Sequence, residues 1–160
     1  MSKAFRVSAV VVGLALLHFL LHVGFGLGDV APDLLTVALL VGVREVDVGW
    51  GAGIGFVLGL LEDAFAALAF GASTVAMTIV GVAGARTRDL FVGDSLLFLV
   101  SYLFVGKWLR DLVYWISVGE DIRQPFIESM LMGSGLAAAY ATVVGVVAIA
   151  ISGSLWETVR

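Results

Sequence analysis

Five charged side chains stand inside stretches that are otherwise apolar enough for a lipid bilayer: Glu62 and Asp63 in one, Lys107, Arg110 and Asp111 in another. At the centre of a membrane helix each such charge costs at least ~2.5–3.5 kcal/mol, so these groups need partners or a task. Two uses compete. One is an ion-pair network that holds helices in register or snorkels to the outer headgroups. The other is a polar cavity, open to the outside, that binds a ligand or an ion. Lys107 and Asp111 are four residues apart and can pair on one helix face. Asp63 continues a row formed by Gly51, Gly55 and Gly59, so it points into a packed interface.

Two further constellations carry potential chemistry. His18 and His22 share one face of the first apolar segment, with Asp29 near its outer end. That spacing could begin a metal site if Glu62 or Asp63 supplied a third ligand, but interhelical hydrogen bonding is the simpler use. Ser134 lies between Gly133 and Gly135, and a membrane Ser–His dyad with His18 or His22 is conceivable. The flanking residues lack the glycine two positions before the serine that rhomboid-type proteases use, so Ser134 reads as a packing residue and no enzyme is expected. No metal or cofactor is expected.

The elements that must position these groups follow from composition. The chain has 160 residues, of which 61% are hydrophobic, 20 are glycine and only 14% are charged, against ~25% charged in soluble domains. A small soluble protein has too much surface for so few charges, so residues 1–160 are expected to form a single polytopic membrane domain. Six spans at ~20 residues would use ~120 residues, leaving no sizeable soluble catalytic domain. A net charge of −4 without a basic run gives no footprint for nucleic acid. The absence of cysteine removes disulfides, thiolate metal sites and lipidated cysteine anchors.

Residues 7–27 form the first span, read as an uncleaved helix rather than a signal peptide because they are span-length and no soluble domain follows. After Pro32 and Asp33, residues 34–43 are apolar but cover only ~15 Å as a helix. They must extend back through Pro32, thin the bilayer locally, or dip in and return. Residues 48–70 are long enough to span, residues 72–85 are again short, and residues 90–118 and 126–151 are long. Six crossings with both termini in the cytoplasm put Lys3, Arg6, Arg44, Arg86, Arg88 and Arg160 inside and only Arg123 outside, as the positive-inside rule demands. Four crossings would move Arg44 outside and weaken the bias. In the six-span arrangement Glu62 lies ~21 Å along its helix and Lys107 and Arg110 ~25–30 Å along theirs, so acids and bases share the outer half.

Leucine against leucine gains little in lipid, and close backbone approach matters more. Gly51, Gly55 and Gly59 make one flat ridge, and Gly133, Ala137, Ala141 and Gly145 a second. Such rows serve internal packing or grip another protein's helix, with internal packing expected.

The order of features resembles the bacterial rod shape-determining MreD family. The resemblance runs from Pro32 to about Arg88. It comprises Pro32-Asp33-Leu34-Leu35, a short apolar segment ending at Arg44, and the run Gly51-Ala52-Gly53-Ile54-Gly55-Phe56-Val57-Leu58-Gly59-Leu60-Leu61-Glu62-Asp63. A fourth helix follows from Gly71 through Gly81 to Arg86. Where the family commonly has a histidine after the glycine opening that helix, this chain has Ser73-Thr74, and Lys107, Arg110 and Asp111 inherit no family role. The resemblance implies an all-α integral membrane protein similar to the substrate-binding subunits of energy-coupling-factor transporters. It also implies a non-enzymatic scaffold in the bacterial cytoplasmic membrane. Such a scaffold binds the bitopic protein MreC through membrane-helix packing and, through it, MreB, RodA and a penicillin-binding transpeptidase in peptidoglycan synthesis. Pro32, Asp33, Gly51, Gly55, Gly59, Asp63 and Arg86 are the positions that carry it. The alternative is a vitamin-type capture subunit with an outward cavity near Glu62, Asp63, Lys107 and Arg110.

Overall fold

Ten consecutive buried residues, Leu34–Val43, form the axis around which the chain is built. In the computed structural model, which describes residues 3–26, 31–66, 69–87 and 96–151, this helix (α2) is surrounded by α1 (Lys3–Phe19), α3 (Val48–Asp63), α4 (Ala72–Arg86), α5 (Leu96–Ser117) and α6 (Ser134–Ile151). The described residues contain six α-helices and no strand. Wider π-helical turns extend α1 through Leu20–Gly24 and lead into α6 through Ile127–Gly133. Two helical stretches, Phe5–Gly24 and Ile127–Ala150, are long and apolar enough to cross a membrane; Leu34–Val43 and Ala72–Arg86 are apolar but shorter. Asp29, Arg88 and Arg160 lie outside the described residues.

α2 begins at Leu34 and does not extend back through Pro32. The Leu34 N–H donates to the Pro32 carbonyl at 2.8 Å, a tight turn immediately before the helix. The Asp33 carboxylate then caps the helix, accepting from Thr36 N–H at 3.0 Å and from the Thr36 hydroxyl at 2.6 Å. An acceptor at this position satisfies amide donors that the first turn leaves without partners. A ten-residue helix suffices because its capped end stops within the bundle, among charged side chains, instead of running the full depth.

The glycine ridge of α3 lies against α4 along its whole length. A Cβ on Gly51 would stand 2.6 Å from the Gly81 carbonyl oxygen, and one on Gly59 2.5 Å from Thr74 Cα; one on Gly55 would press the Met77 carbonyl harder still. The two helices run antiparallel with their backbones touching, so the ridge serves internal packing. α3 ends at Asp63 rather than continuing to residue 70 as hydropathy suggested, because the Asp63 side chain is engaged at the start of α4.

The second small-residue row is only half correct. Ala141 and Gly145 face the core, where a Cβ on Gly145 would meet Leu103 at 3.0 Å and Val37 at 3.1 Å, but Gly133 and Ala137 are exposed. The row therefore leaves the core between Ala141 and Ala137. The buried face is instead Ser134, Ala138, Ala141, Thr142, Gly145 and Ile149. On the far side, Tyr102 of α5 donates its hydroxyl to the Leu40 carbonyl at 2.9 Å, joining the outer helices to the axis.

Candidate functional site

At the end of the bundle where α1, α3 and α5 finish and α2, α4 and α6 begin, polar side chains from several helices converge. Arg110 is the hub. Its guanidinium bonds Glu62 of α3, lies 3.2 Å from the Asp111 carboxylate and 4.0 Å from that of Asp33, and reaches the Ser73 hydroxyl at 3.5 Å. Its carbon Cζ stands 5.0 Å from the centre of the Tyr114 ring, within range of a cation–π contact. Lys107 bridges two acids, Asp111 at 2.5 Å and Asp33 at 3.3 Å. Lys107, Arg110 and Asp111 are all buried. Three carboxylates thus surround two cations, each cation touching more than one acid. Such sharing offsets part of the desolvation cost that a single buried pair bears.

Of the five charges that stand within apolar stretches of the sequence, four meet: Glu62, Lys107, Arg110 and Asp111. Asp63 is the correction. Its carboxylate accepts from the backbone N–H groups of Ser73 at 3.1 Å and Thr74 at 2.8 Å, and from the Thr74 hydroxyl at 2.5 Å. Among the described residues no lysine or arginine bonds it. Neighbouring residues on a helix point ~100° apart, so Glu62 faces α5 and Asp63 faces α4. Gly71 precedes α4 with a left-handed φ of 96° and has no side chain to cap it; Asp63 supplies that cap from eight residues upstream. The Ser73-Thr74 pair therefore has a specific use.

Asp33 takes the place in the cluster that Asp63 vacates. Sequence reasoning put it in a family motif but not among these charges, although the Asp33–Thr36 spacing ahead of an apolar run is a legible N-cap signal. His18 Nδ1 lies 4.0 Å from the Asp33 carboxylate. His18 and His22 stack with ring centres 4.0 Å apart, and His22 Nδ1 lies 3.0 Å from the His18 carbonyl oxygen. Glu62 and Asp63, considered as a third metal ligand, are engaged by Arg110 and by α4 respectively. No group of three metal-ligating side chains is assembled among the described residues. Arg86 sits at the opposite end, in the last turn of α4.

Two adjoining cavities open beside the cluster, with volumes of about 780 and 640 Å³. Ala66, Arg110, Gly133 and Ala137 are common to both. The larger one has Pro32, Asp33, Glu62 and Lys107 against His18 and His22; the smaller one has Asp111, Tyr114, Trp115, Arg123 and Ser134. Arg123 closes the end of α5 by donating to the carbonyls of Ile116 at 2.9 Å and Val118 at 2.8 Å. Trp115 donates to the Gln124 carbonyl at 2.8 Å, fixing the loop that leads to α6.

The assembly defines a helical bundle with a buried, internally paired charge cluster at one end. Comparison with protein-family models, curated proteins and solved structures gives no match.

Proposed function

We propose that this chain is a six-span protein of the bacterial cytoplasmic membrane, with both termini in the cytoplasm, that acts as a non-enzymatic scaffold in cell-elongation peptidoglycan synthesis. In this reading it binds an MreC-type bitopic partner by membrane-helix packing and, through it, holds the glycan polymerase and transpeptidase in a working arrangement. The observation that carries the reading is the closure of the charge cluster: Arg110 and Lys107 are both spent on Asp33, Glu62 and Asp111. A cluster of that kind locks helices together. The wholly buried α2, ringed by helices that expose Leu16, Phe56, Leu97 and Leu136, also suits a lipid-facing exterior, since soluble monomers rarely expose extensive apolar surface.

Two experiments test this reading. A reporter fused after Arg44 reads as cytoplasmic if the chain crosses six times; a periplasmic reading overturns that topology. Co-expression with a tagged MreC-type protein from the same organism, followed by pull-down in mild detergent, recovers the chain if it is the scaffold. Failure to recover it removes the scaffold reading.

The paired cavities favour a second reading, in which the chain captures a small molecule for an energy-coupling-factor type transporter. A stoichiometric small molecule retained through purification, or co-purification with paired ATPases, supports capture over scaffolding.

A further inference from the structure

α3 and α4 form a hairpin that is charged at one end and uncharged at the other. Arg44, Glu45 and Asp47 precede α3 and Arg86 closes α4, whereas residues 64–85 contain no charged side chain. Sixteen and fifteen residues make these helices ~24 and ~22 Å long, short of a hydrocarbon core of ~30 Å. Phe5–Gly24 and Ile127–Ala150, at 20 and 24 residues, reach that length. The base of the α3–α4 turn is fixed beside Arg110, whose guanidinium bonds Glu62 and reaches the Ser73 hydroxyl at 3.5 Å. From Arg110, α5 runs on to Ser117, ~10 Å further, before the charged loop of Glu120, Asp121 and Arg123.

The turn carries no side chain that water would have to satisfy. Its sequence is Ala64-Phe65-Ala66-Ala67-Leu68-Ala69-Phe70-Gly71. Phe65 and Phe70 are 62% and 72% exposed, and in water such rings forgo the gain that burial of apolar surface brings. The backbone is bonded from within: the N–H groups of Ala64, Phe65 and Ala66 donate to the carbonyls of Leu60, Glu62 and Asp63, and those of Ala72 and Val75 to Ala69 and Gly71. The amides of Ser73 and Thr74 go to the Asp63 carboxylate. Ala66 and Ala69 line the 640 Å³ cavity beside Arg110 and Asp111, which is polar and roomy enough for water. Non-helical backbone at membrane depth is tolerated where it borders such a space.

We propose that the α3–α4 turn does not emerge into water but ends among the acyl chains of the outer leaflet, with Phe65 and Phe70 as its lipid contacts. This rests on the membrane reading above and its orientation, and sharpens it. The hairpin enters from the cytoplasmic side and returns there, so Arg44 and Arg86 keep their positions while an immersed tip replaces the second outer loop. The partner is the hydrocarbon of lipid. A tip whose side chains are all apolar offers a polar headgroup nothing to bond, and a hairpin shorter than the core leaves the rest of that leaflet's depth to lipid.

The chain contains no cysteine, so one introduced thiol carries one spin label. Phe65→Cys and Phe70→Cys are compared in the full chain with Phe56→Cys on the exposed face of α3 and Gln124→Cys in the charged loop, each in vesicles of phosphatidylethanolamine and phosphatidylglycerol. Collisions of the label are read with oxygen, which concentrates among acyl chains, and with a water-soluble nickel chelate. Labels at 65 and 70 are expected to shift toward oxygen as the label at 56 does, with the label at 124 shifted toward nickel. A nickel-favoured reading at either position of the turn overturns the proposal, since the turn then stands in water. So do weak collisions with both reagents, which mean that protein covers it. Either result leaves the membrane reading intact as long as position 56 favours oxygen. A label at 56 that favours nickel removes the membrane reading itself, and the immersed turn falls with it.

Discussion

The carboxylate of Asp63, the last residue of α3, holds the first turn of α4 through the backbone N–H and the hydroxyl of Thr74, at 2.8 and 2.5 Å. Glu62, one residue earlier, turns the other way and bonds Arg110 of α5. Two adjacent acids thus tie one helix to two different neighbours by two different means. One accepts hydrogen bonds at the electropositive end of a helix, and the other pairs with a cation.

Removing the cap leaves buried amide donors unpaired. Asp63→Ala is expected to lower stability by ~1–3 kcal/mol, the cost of leaving buried donors unpaired. Asp63→Asn keeps an acceptor oxygen and should lose less. Thermal unfolding in detergent separates them; equal loss in both variants would mean that the charge, not the acceptor geometry, holds α4.

The glycine ridge predicts opposite signs for two neighbouring substitutions. Gly55→Ala drives a methyl group into the Met77 carbonyl and is expected to cost ~1–3 kcal/mol, as overpacking generally does. Gly53→Ala on the open face meets nothing within 4 Å and should be neutral or stabilising by up to ~1 kcal/mol through helix propensity. Parallel melting curves of the two variants decide it.

The ion pairs should behave as a coupled unit. Arg110→Leu leaves Glu62 without its cation and is expected to cost ~3–5 kcal/mol, the range for breaking one side of a buried pair. Glu62→Leu alone should also destabilise. The double variant should lose clearly less than the two singles added together, since neither charge is then stranded. Additive losses in a double-mutant cycle would show that the two side chains act independently.

Tyr102→Phe removes the hydroxyl that reaches the Leu40 carbonyl and should cost ~0.5–1.5 kcal/mol without disturbing the charge cluster at the other end of α5. A loss of Arg110-dependent properties in this variant would indicate that the two ends of α5 are not separable.

Much of the helical plan was legible in the sequence. The apolar lengths placed the helices, Pro32 and Asp33 marked a break ahead of α2, and Gly51, Gly55 and Gly59 marked a packed seam. Lys107 and Asp111 pair as their spacing requires. The site was legible in part: equal depth along two helices anticipated that Glu62 and Arg110 would meet. Asp63 was misread as a member of the same cluster because a linear sequence shows that two acids are adjacent but not that they point ~100° apart. The α6 row held only at Ala141 and Gly145, because how far along a helix a neighbour packs depends on the seating of whole helices.

By itself the sequence determined which segments are helical, where caps and small residues permit close approach, and that charges would be buried; these follow from local chemistry and periodicity. Only the tertiary structure decided which charge meets which. It moved Asp33 into the cluster from before α2 and moved Asp63 out to cap α4. Those outcomes depend on the relative rotation and depth of six helices, quantities set by how whole faces pack together and not by any one stretch of chain.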